Sequence, residues 1–210
     1  MNDVKIKVCG MTSLKQVQEL ALIGVDYAGF IFYEKSPRHL GNKIAASDLK
    51  YFSDIKKVGV FVNESKEKII RTIDEYGLDA VQLHGDETPE LCESLKDTIT
   101  VIKAFRVTGD EDLVNMLQPY EDSVDYFLFD TKAKEYGGTG KKFDWSVLEK
   151  ISINKPYFLS GGIGINDIEQ VKLFTSANNV FAVDVNSKFE TEPGVKEIFP
   201  LKEFVAQIRG

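Results

Sequence analysis

Apolar residues along this 210-residue chain follow two alternating patterns. Short runs rich in valine, isoleucine, phenylalanine and leucine are typical of strands covered on both faces. Between them lie longer amphipathic stretches, which are typical of helices. The pattern predicts strands at residues 4–9, 27–32, 57–62, 80–84, 100–105, 126–130, 157–160 and 180–185. It predicts helices at residues 13–23, 45–52, 66–76, 89–95, 111–120, 145–151, 166–174 and 201–208.

The eight strand–helix units follow one another without a break, which predicts a parallel sheet with helical crossovers. Helices cover both faces of an open sheet but only the outside of a closed barrel, and the count of eight favours the barrel. No linker or shift in composition divides the chain. The expected fold is α/β, a single (β/α)8 TIM barrel that forms one catalytic domain over residues 1–210.

The composition narrows the classes of function. The net charge is −7 and no basic stripe is visible, which argues against nucleic-acid binding. No apolar run approaches the roughly 20 residues that span a bilayer. The amino terminus lacks the apolar stretch of a signal peptide. We therefore expect a cytoplasmic protein with no membrane partner, and we expect Cys9 and Cys92 to be free thiols.

Polar residues occupy the carboxyl end of the first predicted strand, where barrel enzymes place their active sites. Side chains alternate along a strand, so Lys7 and Cys9 share the face opposite Ile6 and Val8. Since Ile6 and Val8 suit the helix layer, Lys7 and Cys9 are expected to point into the barrel. A lone cysteine is more often a small core residue. Its place at a strand tip beside a lysine favours a base, because a cation lowers the pKa of a thiol.

Two further strands end in ionisable residues. Asp130 closes the sixth strand, where it could cap a helix, form a structural ion pair or act as an acid or base. Residues 131–142 have the composition of a loop, so no helix starts at once and the acid–base role is favoured. On the fourth strand, Gln82 and His84 share a face. A lone histidine is more often structural, so His84 carries little weight by itself.

Segments that could cover or bind a ligand follow the last three strands. Residues 136–141 include three glycines and could form either a plain flexible loop or a lid over a ligand. Residues 160–164 and 184–187 follow the seventh and eighth strands, where barrels often bind phosphate through backbone N–H groups. A metal site is not expected, because His39 and His84 lie on different units and no zinc-like spacing occurs.

Six motifs occur in order from the first strand to the last helix. They are Lys7-Val8-Cys9-Gly10; Ser36-Pro37-Arg38; Gln82-Leu83-His84-Gly85; Gly138-Thr139-Gly140 with Phe143-Asp144-Trp145; Ser160-Gly161-Gly162-Ile163; and Val183-Asp184-Val185-Asn186-Ser187 with Pro193-Gly194-Val195-Lys196. In this order they resemble the phosphoribosylanthranilate isomerase family. Any one motif would be weak evidence, but six in register are specific.

The resemblance implies an Amadori rearrangement, the conversion of N-(5-phosphoribosyl)anthranilate to 1-(2-carboxyphenylamino)-1-deoxyribulose 5-phosphate in tryptophan biosynthesis. This internal aldose-to-ketose redox reaction needs no cofactor. The resemblance makes Asp130 the general acid and Cys9 the general base. It implies a small phosphorylated substrate, and we expect a monomer or homodimer. The residues predicted to bind substrate are Arg38, which would hold the anthranilate carboxylate, and Lys7, His84, Gly161, Gly162, Ile163, Asp184, Asn186 and Ser187.

The chain departs from the family after Ser187, where Lys188-Phe189-Glu190 replaces the usual Gly-Val-Glu. We expect the loop to place Lys188 in an ordinary backbone region with a solvated side chain. The alternatives are indole-3-glycerol-phosphate synthase, which usually carries an amino-terminal extension, and a barrel that only binds its ligand. A ribulose-phosphate epimerase would need a metal-binding set of histidines and aspartates that the sequence lacks.

Overall fold

The computed structural model describes residues 4–108, 112–131, 144–149, 151 and 153–210. Within these residues, eight parallel strands close into a barrel in chain order, and the eighth pairs with the first. The predicted fold class is confirmed. The strands are β1 Lys5–Val8, β2 Tyr27–Ile31, β3 Lys56–Phe61, β4 Ala80–Leu83, β5 Thr100–Val107, β6 Tyr126–Thr131, β7 Tyr157–Leu159 and β8 Val180–Val185.

Helices connect the strands around the outside of the barrel. Ser65 and Thr88 cap two of them through their side chains. Gly77 ends the third in the left-handed conformation. The helices are α1 Leu14–Leu22, α2 Ala46–Lys50, α3 Lys66–Tyr76, α4 Pro89–Lys96, α5 Leu113–Leu117, α6 Ser146–Glu149, α7 Ile168–Ala177 and α8 Ile198–Arg209.

The structure departs from the sequence predictions in several places, and the helix predicted at residues 111–120 ends as a 3₁₀ turn, Gln118–Tyr120. The last helix begins at Ile198 rather than at residue 201, because a proline such as Pro200 is tolerated in the first helical turn. The helix predicted from residue 166 opens as a 3₁₀ turn, Ile165–Asp167, before α7. A hairpin between β8 and α8, β9 Glu190–Glu192 with β10 Val195–Lys196, was not predicted.

The apolar core has two main layers, and their arrangement shows which end of the barrel is open. One layer packs the outward faces of the strands against the helices. The other fills the barrel interior with seven buried side chains: Val58, Ala80, Ile102, Ala104, Leu128, Phe158 and Ala182. Tyr27, Tyr126 and Phe181, at the starts of their strands, pack against this interior and contact one another edge-on or tilted. These aromatic rings close the amino-terminal end of the barrel, so its open end is the carboxyl end.

Candidate active site

The carboxyl ends of the strands surround a cavity that is open to solvent at one end. The predicted site residues on its wall are Cys9, His84, Asp130, Gly161, Gly162, Ile163, Asp184, Asn186 and Ser187. Lys7 and Arg38 do not line the cavity, although Lys7 hydrogen-bonds Asp184 and the Arg38 backbone N–H donates to Ser36 Oγ on the cavity wall. The predicted lid at residues 136–141 lies outside the described residues.

Cys9 follows β1 and presents its thiol to the cavity. Its side chain packs tightly against β2, since a Cβ built on Gly29 would lie 2.9 Å from Sγ. Burial raises the pKa of the Cys9 thiol, and Lys7 only partly offsets this effect. The neighbouring lysine does act to lower the thiol pKa, as expected, but the net pKa is raised, so the inference that the pKa would be low was wrong. The physical reason is that burial disfavours the thiolate and that Lys7 is paired with a carboxylate, whose own charge raises the thiol pKa.

That carboxylate belongs to Asp184 on β8. Lys7 and Asp184 are register partners on adjacent strands, and Lys7 Nζ donates to Asp184 Oδ1 at 2.9 Å. The Lys7 side chain is completely buried. Burial, the largest single effect, acts to lower the pKa of Lys7, but the charges of Asp184 and Cys9 together with the contact to Asp184 outweigh it and hold the pKa above its ordinary value. Lys7 therefore remains a cation inside the barrel, as its paired geometry requires.

Asp130 lies near the end of β6, with its carboxylate on the cavity wall. Thr131 N–H donates to Oδ1 at 2.8 Å. Burial raises the pKa of Asp130 to about 6, and the nearby Asp184 charge adds to this effect. The hydrogen bond from Thr131 and the charge of Lys7 act in the opposite direction. A carboxyl group with this pKa is protonated in a useful fraction of molecules near neutral pH, as a general acid must be.

His84 faces Asp130 across the cavity floor, with Nε2 3.6 Å from Asp130 Oδ2. Burial lowers the pKa of His84 to about 3, and the charges of Lys103, Lys7 and Arg106 lower it further. The imidazole is therefore neutral, and its contact with Asp130 is not an ion pair. With the Gln82 amide assigned as donor to Nδ1 at 2.7 Å, Nε2 carries the ring proton. His84 can therefore donate a hydrogen bond into the cavity.

The segments after β7 and β8 form the other side of the cavity. Gly161 has φ +100°, and a Cβ there would lie 2.5 Å from Thr131 Oγ1, so only glycine fits. The 3₁₀ turn Ile165–Asp167 begins just beyond it, and a second 3₁₀ turn, Ser187–Phe189, begins after Asn186. The amino ends of such turns generally favour an anion, although at the first turn Asp167 Oδ2 already accepts from Gly164 N–H at 2.8 Å.

Lys188 belongs to this second turn and lines the cavity mouth. Asn63 is the non-glycine residue with positive φ among the described residues, so Lys188 occupies an ordinary backbone region. Its side chain is exposed. Both parts of the expectation for Lys188 are confirmed.

Arg38 belongs to a buried cluster that the sequence reasoning missed. Its Nε donates to Glu190 at 2.9 and 3.0 Å and its Nη2 at 2.7 Å, a side-on fork. Lys196 Nζ donates to Glu190 at 2.6 Å and to Asn186 Oδ1 at 2.7 Å. Burial acts to raise the pKa of Glu190, but these two cations lower it, so it remains ionised. The one sign of this cluster in the sequence was the motif that contains Lys196. Its partners, Glu190 and Asn186, cannot be recognised until the hairpin after β8 is known.

A second supporting cluster holds the tip of β4. Glu87 accepts from the backbone of Gly85 and Asn63, and Lys103 Nζ donates to Glu87 at 3.0 Å and to the Gly85 carbonyl at 2.8 Å. The chain immediately after His84 is thereby held between β3 and β5. This buried pair lies outside the cavity and has a structural role.

Among the described residues, no cluster of histidine, cysteine and carboxylate side chains is arranged to hold a metal ion. In the same part of the chain, no helix has both the length and the apolar character needed to cross a membrane.

The fold and the site together define an enzyme of the β/α-barrel class, with acid–base groups and glycine-rich segments at the carboxyl ends of its strands. The sequence matches the family model for N-(5'phosphoribosyl)anthranilate (PRA) isomerase over residues 6–207. The chain therefore belongs to the phosphoribosylanthranilate isomerase family.

Individual relatives agree with this assignment. The chain is 44% identical over 208 residues to the N-(5'-phosphoribosyl)anthranilate isomerase of Parabacteroides distasonis. The alignment covers 97% of this chain and 92% of the relative. It is similar to the crystal structure of the Thermus thermophilus enzyme, with a TM-score of 0.85, 26% identity and 98% of each chain covered. A phosphoribosyl anthranilate isomerase in complex with reduced 1-(o-carboxyphenylamino)-1-deoxyribulose 5-phosphate has a TM-score of 0.80 and 33% identity, with 99% of each chain covered.

Proposed function

We propose that this chain converts N-(5-phosphoribosyl)anthranilate to 1-(2-carboxyphenylamino)-1-deoxyribulose 5-phosphate in tryptophan biosynthesis. The observation that carries the proposal is the placement of Cys9 and Asp130 on the wall of one cavity, beside the segments after β7 and β8. A family member of the same fold binds the reduced form of this product. The reaction is an internal redox exchange, since C1′ of the sugar is reduced as C2′ is oxidised, and it requires no cofactor.

Asp130 is the proposed general acid. It protonates the furanose oxygen, the ring opens, and a protonated imine forms between C1′ and the anthranilate nitrogen. A pKa raised to about 6 by burial makes the proton available for this step. His84 Nε2–H, 3.6 Å from the same carboxylate, is placed to stabilise the Asp130 anion that remains.

Cys9 is the proposed general base. The imine acidifies the C2′ proton, which the thiolate removes to give an enolamine. The enolamine then tautomerises to the ketone by losing the O2′ proton and gaining one at C1′. Because burial raises the pKa of the thiol, the thiolate is a minor form but a strong base.

The two anionic ends of the substrate are assigned to different segments. The phosphate is placed at the backbone of Gly161, Gly162 and Ile163 and at Asn186 and Ser187, where two 3₁₀ turns begin. The anthranilate carboxylate is placed on Arg38. This assignment rests on the Ser36-Pro37-Arg38 motif of the family, since Arg38 does not line the cavity and its Nε and Nη2 already donate to Glu190.

We further propose that the chain acts as one catalytic domain in the cytoplasm, as a monomer or homodimer. Sedimentation of the purified protein, with and without product analogue, measures the oligomeric state directly.

One assay tests the reaction against its rivals. Purified protein is incubated with phosphoribosylanthranilate and a chelator, and the product is separated by chromatography while released carbon dioxide is measured. We expect the ketose product, at a rate unaffected by the chelator and without carbon dioxide. Carbon dioxide release from the ketose would indicate the synthase. Binding without any turnover would indicate a ligand-binding barrel.

A further inference from the structure

Gln82 contacts the histidine that faces the proposed general acid. It lies on β4, two residues before His84, and both side chains are on the cavity wall. Gln82 Nε2 is 2.7 Å from His84 Nδ1, and at the other ring nitrogen His84 Nε2 is 3.6 Å from Asp130 Oδ2. The imidazole therefore lies between the Gln82 amide and the Asp130 carboxyl group.

The two neighbours of the imidazole favour the same tautomer. A neutral imidazole carries one ring proton, and the hydrogen bond at one nitrogen decides which nitrogen holds it. The Asp130 anion favours Nε2–H, because a lone pair at Nε2 would face its negative charge. Nδ1 is then an acceptor, so the Gln82 amide presents its NH₂ group to Nδ1 rather than its carbonyl oxygen.

Packing does not explain an amide at this position. Gln82 is 1% exposed, and its register partners on β3 and β5 are Val60 and Ile102. Its Oε1 is buried and has no hydrogen-bond partner among the residues that the structure describes. Because a buried acceptor without a donor is destabilising, an apolar residue of the same size would be more stable here. The contact that the other end of the amide makes with His84 is what sets glutamine apart from such a residue.

The tautomer of His84 matters most while Asp130 carries its proton. With the ring proton at Nε2, the imidazole offers no acceptor to Asp130, and the acid proton stays available to a ligand. With the ring proton at Nδ1, the Nε2 lone pair would face Asp130 and accept a hydrogen bond from it. The amide hydrogen bond to Nδ1 disfavours this second arrangement.

Resting on the proposed function, we propose that Gln82 is a positioning residue that keeps His84 in the Nε2–H tautomer in both protonation states of Asp130. It acts through His84 rather than on the substrate. The Asp130 proton is thereby left for the furanose oxygen, and after its transfer the same Nε2–H faces the new carboxylate. His84 gains and loses no proton during the reaction.

The tautomer can be measured directly by ¹⁵N NMR, because protonated and unprotonated ring nitrogens give well-separated signals. His39 is the other histidine of the chain, so a His39→Gln background leaves only the signals of His84. At pH 8 Asp130 is ionised and at pH 5 it is mostly protonated, since its pKa is about 6. His84 stays neutral at both, with a pKa of about 3. Besides Asp130, the charged groups that act on the ring are Lys103, Lys7 and Arg106.

With Gln82 present, we expect the Nε2–H tautomer at both pH values. Gln82→Met removes the donor and keeps the length of the side chain, so we expect Nε2–H at pH 8 and Nδ1–H at pH 5. In the same variant kcat should fall at least about tenfold while KM changes less than about threefold, because the lost effect concerns proton transfer and not binding. Gln170→Met makes the same change on the exposed face of α7 and should alter neither the tautomer nor the kinetics.

Three results would overturn this role for Gln82. They are an Nδ1–H tautomer in the chain that retains Gln82, an unchanged tautomer at pH 5 in Gln82→Met, and a normal kcat in that variant. A variant that loses activity without a change of tautomer would have lost packing only. Failure of the proposed function looks different, because the chain would then form no ketose even where the NMR signals show the expected tautomer.

Discussion

The buried carboxylate of Asp130 leads to a quantitative prediction about stability. In the folded chain its pKa is about 6, against an ordinary value of 3.8, mainly because burial disfavours the anion. A group with a raised folded pKa contributes stability that is fully present below pH 3.8 and is lost as pH rises through 6. The amide that replaces the carboxyl group in the Asp130→Asn variant cannot ionise, so the variant escapes this loss.

The magnitude follows from the shift of about 2.2 pKa units at about 1.36 kcal/mol per unit. Relative to wild type, Asp130→Asn should gain up to about 3 kcal/mol in free energy of unfolding at pH 8, and under about 1 kcal/mol at pH 4. The amide oxygen can still accept from Thr131 N–H, so the backbone contact is kept. The same variant should lose at least about 10²-fold in turnover, because the amide has no proton to give, while substrate still binds.

Urea unfolding of both proteins at pH 4, 5, 6, 7 and 8 measures this gain. Asp74→Asn is the matched control, since it makes the same change on an exposed carboxylate in the last turn of α3. We expect no comparable pH-dependent gain there. A gain at Asp130 that is absent at pH 8, or equal at pH 4 and pH 8, would refute the raised pKa. Normal turnover in a folded Asp130→Asn variant would place the general acid elsewhere.

Three further predictions concern the rest of the site. Cys9→Ala should keep its fold and lose at least about 10²-fold in kcat, as expected for loss of a general base. Cys92→Ala, at the other buried cysteine, should keep its activity. Equal kinetics in the two variants would show that Cys9 is not the base. Arg38→Ala should raise the Michaelis constant more than it lowers kcat, because the substrate carboxylate keeps its charge throughout the reaction; steady-state kinetics showing the reverse would contradict this role. Lys188→Gly should change the Michaelis constant less than about threefold, under about 0.7 kcal/mol, since the Lys188 side chain is exposed; a tenfold rise that high salt abolishes would instead make Lys188 a phosphate ligand.

Much of the fold was determined by the sequence alone. The two hydrophobic periods set strand and helix order, because burial on both faces and burial on one face leave different local patterns. Alternation along β1 correctly placed Lys7 and Cys9 on the interior face. Local signals failed where they were ambiguous, as at Pro200, which is compatible with the first turn of a helix or with its boundary.

The tertiary structure determined which side chains pair in the site and in which direction their pKa values are shifted. Lys7 and Asp184 are 177 positions apart and Arg38 and Glu190 are 152 apart, so only barrel closure and the hairpin after β8 bring them together. Lysine beside cysteine in the sequence suggested a lowered thiol pKa, yet burial raises it, and burial also raises the pKa of Asp130 to about 6. A pKa depends on the water removed from a group and on every charge near it in space. Neither quantity can be obtained from spacing along the chain.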